Sequence, residues 1–198
     1  MRRVLNVGGT SKQIALPPIF AGWEHHLLDI RPGPDVDLVM DARQLSTLAP
    51  GGYDAVYCHH NLEHYYEHEV PIVLAGFRHM LIPDGLVYVI VPDFLQVMRL
   101  MVQNGHEPDR VLYQSTGGPV RYCDIVYGFA AEIAHSGQDH YAHKMGFSPT
   151  RLEKNLRQAG FGWLLVKPVP ESYEIHALAS IDPLPLWIRE LFIQPETP

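Results

Sequence analysis

Val4-Leu5-Asn6-Val7-Gly8-Gly9-Thr10 is an apolar, β-prone run that stops at paired glycines. A second such run, His26-Leu27-Leu28-Asp29-Ile30, closes on a carboxylate about 20 residues later. Together they outline a nucleoside-binding α/β crossover. The glycines let main-chain N–H groups approach a ligand closely, and the carboxylate can accept from both hydroxyls of a ribose. Asp29 sits at the carboxyl end of its run, where open α/β sheets bind ligands. An aspartate at a strand end also caps turns, so the residue alone supports both readings.

Working outward, residues 37–41 and 53–58 read as two further short strands. Between 67 and 81, Val70, Val73, Leu74, Phe77 and Leu81 recur at three- and four-residue spacing and define one apolar helical face, which Pro83-Asp84-Gly85 is expected to end. Residues 86–91 are almost continuously apolar, as suits a strand covered on both sides. Strands alternating with helices imply a parallel α/β sheet. The rhythm breaks after Pro92-Asp93. Helices are expected at 94–102 and 124–135, with a turn-rich stretch at 105–121, so residues 94–146 are expected to form a lid insertion over the mouth of the sheet. Ser148 and Pro149 are a good N-cap and first residue for another helix, Gly160 is its stop, and two late strands follow at 163–169 and 173–181.

The chain has 198 residues, 46% of them hydrophobic, which suffices for one domain spanning 1–198. Its formal net charge of -7 argues against nucleic acid as a partner, because phosphate neutralisation needs clustered Lys and Arg. Two cysteines, Cys58 and Cys123, suggest a reducing compartment, and no apolar run reaches the roughly 18 residues of a membrane span. The expected location is the cytoplasm, away from membranes. The apolar tail 184–193 reads as packing on its own domain, with a homodimer contact through it as the alternative.

Several motifs resemble, in order, those of class I S-adenosylmethionine-dependent methyltransferases, in particular the methyltransferase type 11-like group. They are 5–9, Leu28-Asp29, 36–42 and 53–57, then His60-Asn61-Leu62-Glu63-His64 (similar to "xxLEH"), 81–93 (similar to "LKPGGxLxIxxPD") and 143–161 (similar to "H…F(T/S)xxxLxxxLxxAGF"). The resemblance implies a Rossmann-like three-layer α/β sandwich with a mostly parallel seven-stranded sheet and a lid after strand five. It implies S-adenosylmethionine as cofactor and a small-molecule or sugar-like methyl acceptor. Carried over, it puts Gly8, Gly9 and Thr10 beside the methionine part of the cofactor, Asp29 and Ile30 at the ribose, and Asp41 and Ala42 at the adenine. His59 and His60 then lie between cofactor and acceptor.

Two departures stand out. The GxGxG pattern is missing after Gly9, and Pro17-Pro18 truncates the first helix. A ligand-binding module without turnover is therefore a second reading. A dinucleotide-dependent oxidoreductase is disfavoured because G-x-G-x-x-G is absent. Among 12 histidines, His60 and His143 are the candidate catalytic bases. His60, His64 and His68 recur every four residues, but the spacing runs into an expected loop, and no metal is expected there.

Overall fold

A computed structural model describes residues 1–115 and 117–193. The chain begins with β1 (Arg3–Val7), β2 (Glu24–Asp29), β3 (Leu38–Val39) and β4 (Tyr53–His59), followed by α1 (Val70–Met80) and β5 (Leu81–Pro92). The insertion then comprises α2 (Phe94–Gln103), the hairpin strands β6 (Val111–Ser115) and β7 (Gly118–Arg121), α3 (Tyr122–Tyr127) and α4 (Ala130–Ser136). The chain returns through α5 (Pro149–Gln158), β8 (Trp163–Val169), β9 (Glu174–Ser180) and α6 (Leu186–Ile193). Seven strands form one sheet in the order β3-β2-β1-β4-β5-β9-β8. The first five are parallel neighbours, and β9 runs antiparallel to both β5 and β8. The expected α/β class and mostly parallel seven-stranded sheet are thus observed.

Element boundaries differ from the sequence reading for identifiable reasons. α1 ends at Met80 and Leu81 is already extended, pairing with Tyr53, so the helix stops before Pro83 is reached. A proline disfavours helical backbone in the residue before it and cannot supply the helical N–H. β3 is only two residues long, and just before it Asp37 ties the chain to β2: its Oδ2 accepts from Leu27 N at 2.7 Å and its N–H donates to the Leu27 carbonyl at 2.9 Å. In the insertion, the helix expected over 124–135 is broken at Gly128, whose φ is 94°. A Cβ there would stand 2.3 Å from the Tyr141 carbonyl oxygen. The stretch expected to be turn-rich contains the β6–β7 hairpin, whose side chains are mostly half-buried or exposed and carry little periodic signal.

One face of the sheet is covered by α1, α5 and the 3-10 segment Ala42–Thr47, with Val73, Leu74, Phe77, Leu152 and Leu156 fully buried. The other face has a thinner cover. No helix follows β1; the prolines at 17 and 18 leave a 3-10 turn, Pro18–Phe20, whose Ile19 and Phe20 are buried. The tail completes this layer: Leu184, Ile188 and Phe192 join the same cluster, and the Phe192 ring meets Tyr88 at 5.4 Å between centroids. The tail therefore packs on its own domain, leaving Leu186, Trp187 and Leu191 exposed. The insertion has a small core of its own around Val97, Val120, Tyr122 and Ile125. No helix among the described residues is long and apolar enough to cross a membrane.

Phe77 is a fully buried ring between α1 and the sheet, so Phe77→Ala removes transfer energy and leaves a cavity. The expected loss is about 3–5 kcal/mol of unfolding free energy, read as a lower urea midpoint at unchanged slope.

Candidate functional site

The strand order reverses between β1 and β4, and the loops leaving these strands diverge there. A cavity of about 800 Å³ opens at this carboxyl rim. Gly8, Gly9, Thr10, Asp29, Ile30, Asp41, Ala42, His59 and His60 all line it, so the structure brings every sequence-derived cofactor candidate to one place. His143 does not line it.

The glycine loop is shaped first by its own protein neighbours. Gly8 has φ 80°, and a Cβ on it would lie 2.4 Å from the Asn61 side chain. A Cβ on Gly9 would lie 2.5 Å from both Asn6 and Leu27. The paired glycines thus allow the loop after β1 to lie directly against the loop after β4. Asp29 is buried at the end of β2 and accepts one hydrogen bond, at Oδ1 from Arg31 N at 2.8 Å, which leaves Oδ2 available. Asp41 is more fully engaged. It caps the 3-10 segment through Arg43 N at 2.9 Å and receives the Arg43 guanidinium on both oxygens, while the same guanidinium also bonds Glu69. Burial works against the Asp41 charge, but the Arg43 hydrogen bonds outweigh it and hold the carboxyl below its ordinary range. The capping reading of Asp41 therefore describes its contacts, and its place on the cavity wall is shared with apolar Met40 and Ala42. From the insertion, Tyr141 reaches over the rim and packs on Arg31, whose guanidinium carbon is 5.0 Å from the ring centroid.

The opposite wall follows from strand register. His59 pairs with Ile90 and Ile90 with His176, which sets these three side chains in a row across β4, β5 and β9. Glu174 pairs with Pro92 and so reaches the same rim. Its Oε1 accepts from His60 Nε2 at 2.7 Å and from His59 Nε2 at 3.5 Å. Its Oε2 accepts from Ser172 Oγ at 2.7 Å and from His176 Nε2 at 3.3 Å, and His176 Nδ1 meets the Tyr88 hydroxyl at 2.8 Å. Burial opposes the Glu174 charge, but the hydrogen bonds from His176, His59 and His60 prevail and keep the carboxyl far below its usual range. His60 behaves in the converse way: burial opposes its charge, and the Glu174 hydrogen bond with the nearby Glu63 charge raises its pKa. His60 is also one of two non-glycine residues with positive φ among the described residues, at 48°. Such a conformation costs about 1–3 kcal/mol and persists where surrounding contacts hold it.

Glu174 and His176 were not singled out by the sequence. The available signal was a glutamate and a histidine two positions apart on one face of an otherwise apolar late strand. His143 donates from Nδ1 to the Ile125 carbonyl at 3.0 Å, and its Nε2 lies 4.0 Å from Glu63. The trio His60, His64 and His68 does not converge, since the segment is a short 3-10 turn with an extended exit and exposed His68 stacks on Tyr66.

No protein-family model and no curated protein sequence matches the chain. Solved structures match its fold. A SAM-dependent methyltransferase from Archaeoglobus fulgidus is 15% identical, with 90% of this chain and 85% of that one aligned at a TM-score of 0.55. The PH0226 protein from Pyrococcus horikoshii OT3 is 15% identical, with 91% and 82% aligned at 0.57. The 1,6-didemethyltoxoflavin-N1-methyltransferase from Burkholderia thailandensis, solved with 1,6-didemethyltoxoflavin and S-adenosylhomocysteine, is 15% identical, with 91% and 72% aligned at 0.55. The fold is that of S-adenosylmethionine-dependent methyltransferases.

Gly8→Ala forces a side chain into left-handed backbone against Asn61. It is expected to lower stability by about 1–3 kcal/mol in the ligand-free chain, measured by chemical denaturation.

Proposed function

We propose that this chain binds S-adenosylmethionine at the β1–β4 switch point and transfers its methyl group to a small-molecule acceptor. The observation that carries the reading is Asp29, a buried carboxylate at the end of β2 with one oxygen unclaimed, on the wall of an 800 Å³ cavity. A volume of roughly 300–1,000 Å³ suits a nucleoside-sized ligand with a second small molecule beside it. The groups present fit that cofactor. Asp29 takes the ribose hydroxyls, Ile30, Met40 and Ala42 offer an apolar slot for the base, and the main chain at Gly8 and Gly9 offers the methionine end its contacts.

When bound, the cofactor supplies an electrophilic methyl carbon on a sulfonium, which an acceptor lone pair takes as the carbon–sulfur bond breaks toward sulfur. The protein's tasks are to hold the acceptor in line, exclude water and take a proton where the acceptor is a hydroxyl or an ammonium. The insertion serves exclusion through His140, Tyr141 and Lys144, which close one side of the cavity. For the proton, the geometry favours His59 over His60. His59 Nε2 donates to Glu174, and its Nδ1 has no hydrogen-bond partner among the described residues. Both nitrogens of His60 face carboxylates, Glu174 at 2.7 Å and Glu63 at 3.7 Å, so His60 acts as the positive partner that keeps Glu174 ionised and in place. With the net charge of -7, an uncharged or cationic small acceptor suits this wall better than a polyphosphate.

The reading without turnover draws on one observation: no helix follows β1, so no helix N-terminus backs the glycine loop. Conversion of bound S-adenosylmethionine to S-adenosylhomocysteine by the purified chain with acceptors separates the two.

Calorimetry with S-adenosylhomocysteine is expected to show one saturable site. Asp29→Ala should weaken it about tenfold to a hundredfold, the equivalent of losing charge-assisted hydrogen bonds to the ribose. His59→Ala should leave that affinity in place and lower kcat by about 10²–10⁴. No detectable heat at millimolar ligand would sink the proposal.

A further inference from the structure

Beneath the cavity wall lies a group of side chains that methyl transfer does not use. Glu63, in the turn after β4, is 1% exposed, and neither carboxylate oxygen has a hydrogen-bond partner among the described residues. Beside it stand His64, from the same turn, and His143, from the end of the insertion, and one ligand atom from each of the three lies within 4.8 Å of the others. Each imidazole is oriented from behind. His64 Nδ1 donates to the Ala142 carbonyl at 3.1 Å and His143 Nδ1 to the Ile125 carbonyl at 3.0 Å. Backbone carbonyls that hold Nδ1–H leave each Nε2 with its lone pair free, the arrangement that presents histidine to a metal.

We propose that Glu63, His64 and His143 bind one divalent transition-metal ion of the zinc class, which clamps the lid insertion to the core. The separations support this. Glu63 Oε1 is 4.0 Å from His143 Nε2 and 3.7 Å from His60 Nδ1, too far for hydrogen bonds. Donors sharing a tetrahedral ion at about 2.0–2.1 Å stand about 3.3–3.4 Å apart, so the Glu63–His143 pair is within about 1 Å of that separation and the His64 donor lies within 4.8 Å of both. Two imidazoles and one carboxylate match the donor preference of zinc and its neighbours, whereas calcium and magnesium prefer oxygen donors alone. His64 also lines the cavity, so the site adjoins the space assigned to the acceptor.

A second trio, His59, His60 and Glu174, has comparable spacing. Its carboxylate already accepts from His59, His60, Ser172 and His176, so no donor capacity is left waiting for an ion. Among the described residues, only the Glu63 group combines free donors with burial. The clamp also follows the topology: Lys144 N and Met145 N donate to the Glu63 carbonyl at 2.8 and 3.2 Å, so the metal would reinforce a junction the backbone already makes.

The test uses the full chain, stripped with chelator and titrated with zinc in the absence of any cofactor, so its outcome is separate from the methyl-transfer reading. One equivalent of zinc is expected to bind and raise the melting temperature. Cobalt in its place should show the visible bands of a low-symmetry, imidazole-containing site. Glu63→Gln and His143→Ala should each weaken binding by more than about a hundredfold, while exposed His68→Ala leaves it unchanged. Metal-free Glu63→Gln should be at least as stable as the parent, because it removes a buried carboxylate that no hydrogen bond among the described residues satisfies. That readout keeps the test decisive if His143→Ala fails to fold. Less than one equivalent bound, binding retained in Glu63→Gln, or binding lost instead in His59→Ala or Glu174→Gln would overturn the site. Destabilisation of the metal-free chain by Glu63→Gln would also overturn it, by marking Glu63 as an ordinary ion-pair partner.

Discussion

The parallel pairing of β1 with both β2 and β4 is the constraint on which the carboxyl rim depends. Val7 is opposite Leu28 on one side and Cys58 on the other, so three strands end at nearly one level and their loops leave together. That level places Gly8, Asp29 and His59 within one cavity although they are far apart in the chain. The loops after β1 and β4 then lie directly against each other, which a side chain at Gly8 would prevent. Ligand approach and protein packing thus make the same demand on that residue.

The rim contains two buried carboxylates with opposite environments. Glu174 is enclosed by donors, and its charge is secured by imidazoles on both oxygens. Glu63 has none at hydrogen-bonding distance. A buried charge is costly unless paired, so a satisfied carboxylate organises its neighbours, and Glu63 is the carboxylate to which the proposed metal is assigned. The histidine-rich composition acquires meaning from this contrast. Some imidazoles serve Glu174 at the cavity, and others turn their free nitrogens toward Glu63.

The second layer of the sheet shows how the fold accommodates its prolines. Pro17 and Pro18 deny the chain a full helix after β1, so the apolar face of the sheet at Tyr57, Tyr88 and Leu178 needs cover from elsewhere. The tail supplies it. Arg2 bridges the two parts, its guanidinium carbon 5.3 Å from the Trp23 ring centroid and 5.4 Å from that of Trp187. Side-chain stacking at the edge thereby ties β1 to the C-terminal helix.

Local pattern determined a good deal by itself: the seven strands of the main sheet, the faces of α1 and α5, the N-cap at Ser148 and the candidates Gly8 to Thr10, Asp29 and Ala42 are all legible because periodicity and strand-end chemistry act over a few residues. Where elements end was less legible, since Leu81, Asp37 and Gly128 meet partners or carbonyls elsewhere in the chain. Regular spacing in the sequence grouped His60, His64 and His68; folding instead brought His64 to His143 and left His68 on the surface. Glu174 and His176 were hidden for the same reason, because an antiparallel strand from the end of the chain must pair with β5 before they reach His59 and His60. The sequence therefore determined the sheet and its carboxyl rim, whose residues follow their own strands. Only tertiary structure decided which acid faces which histidine, because hydrogen bonds and charge pairing depend on distance in space.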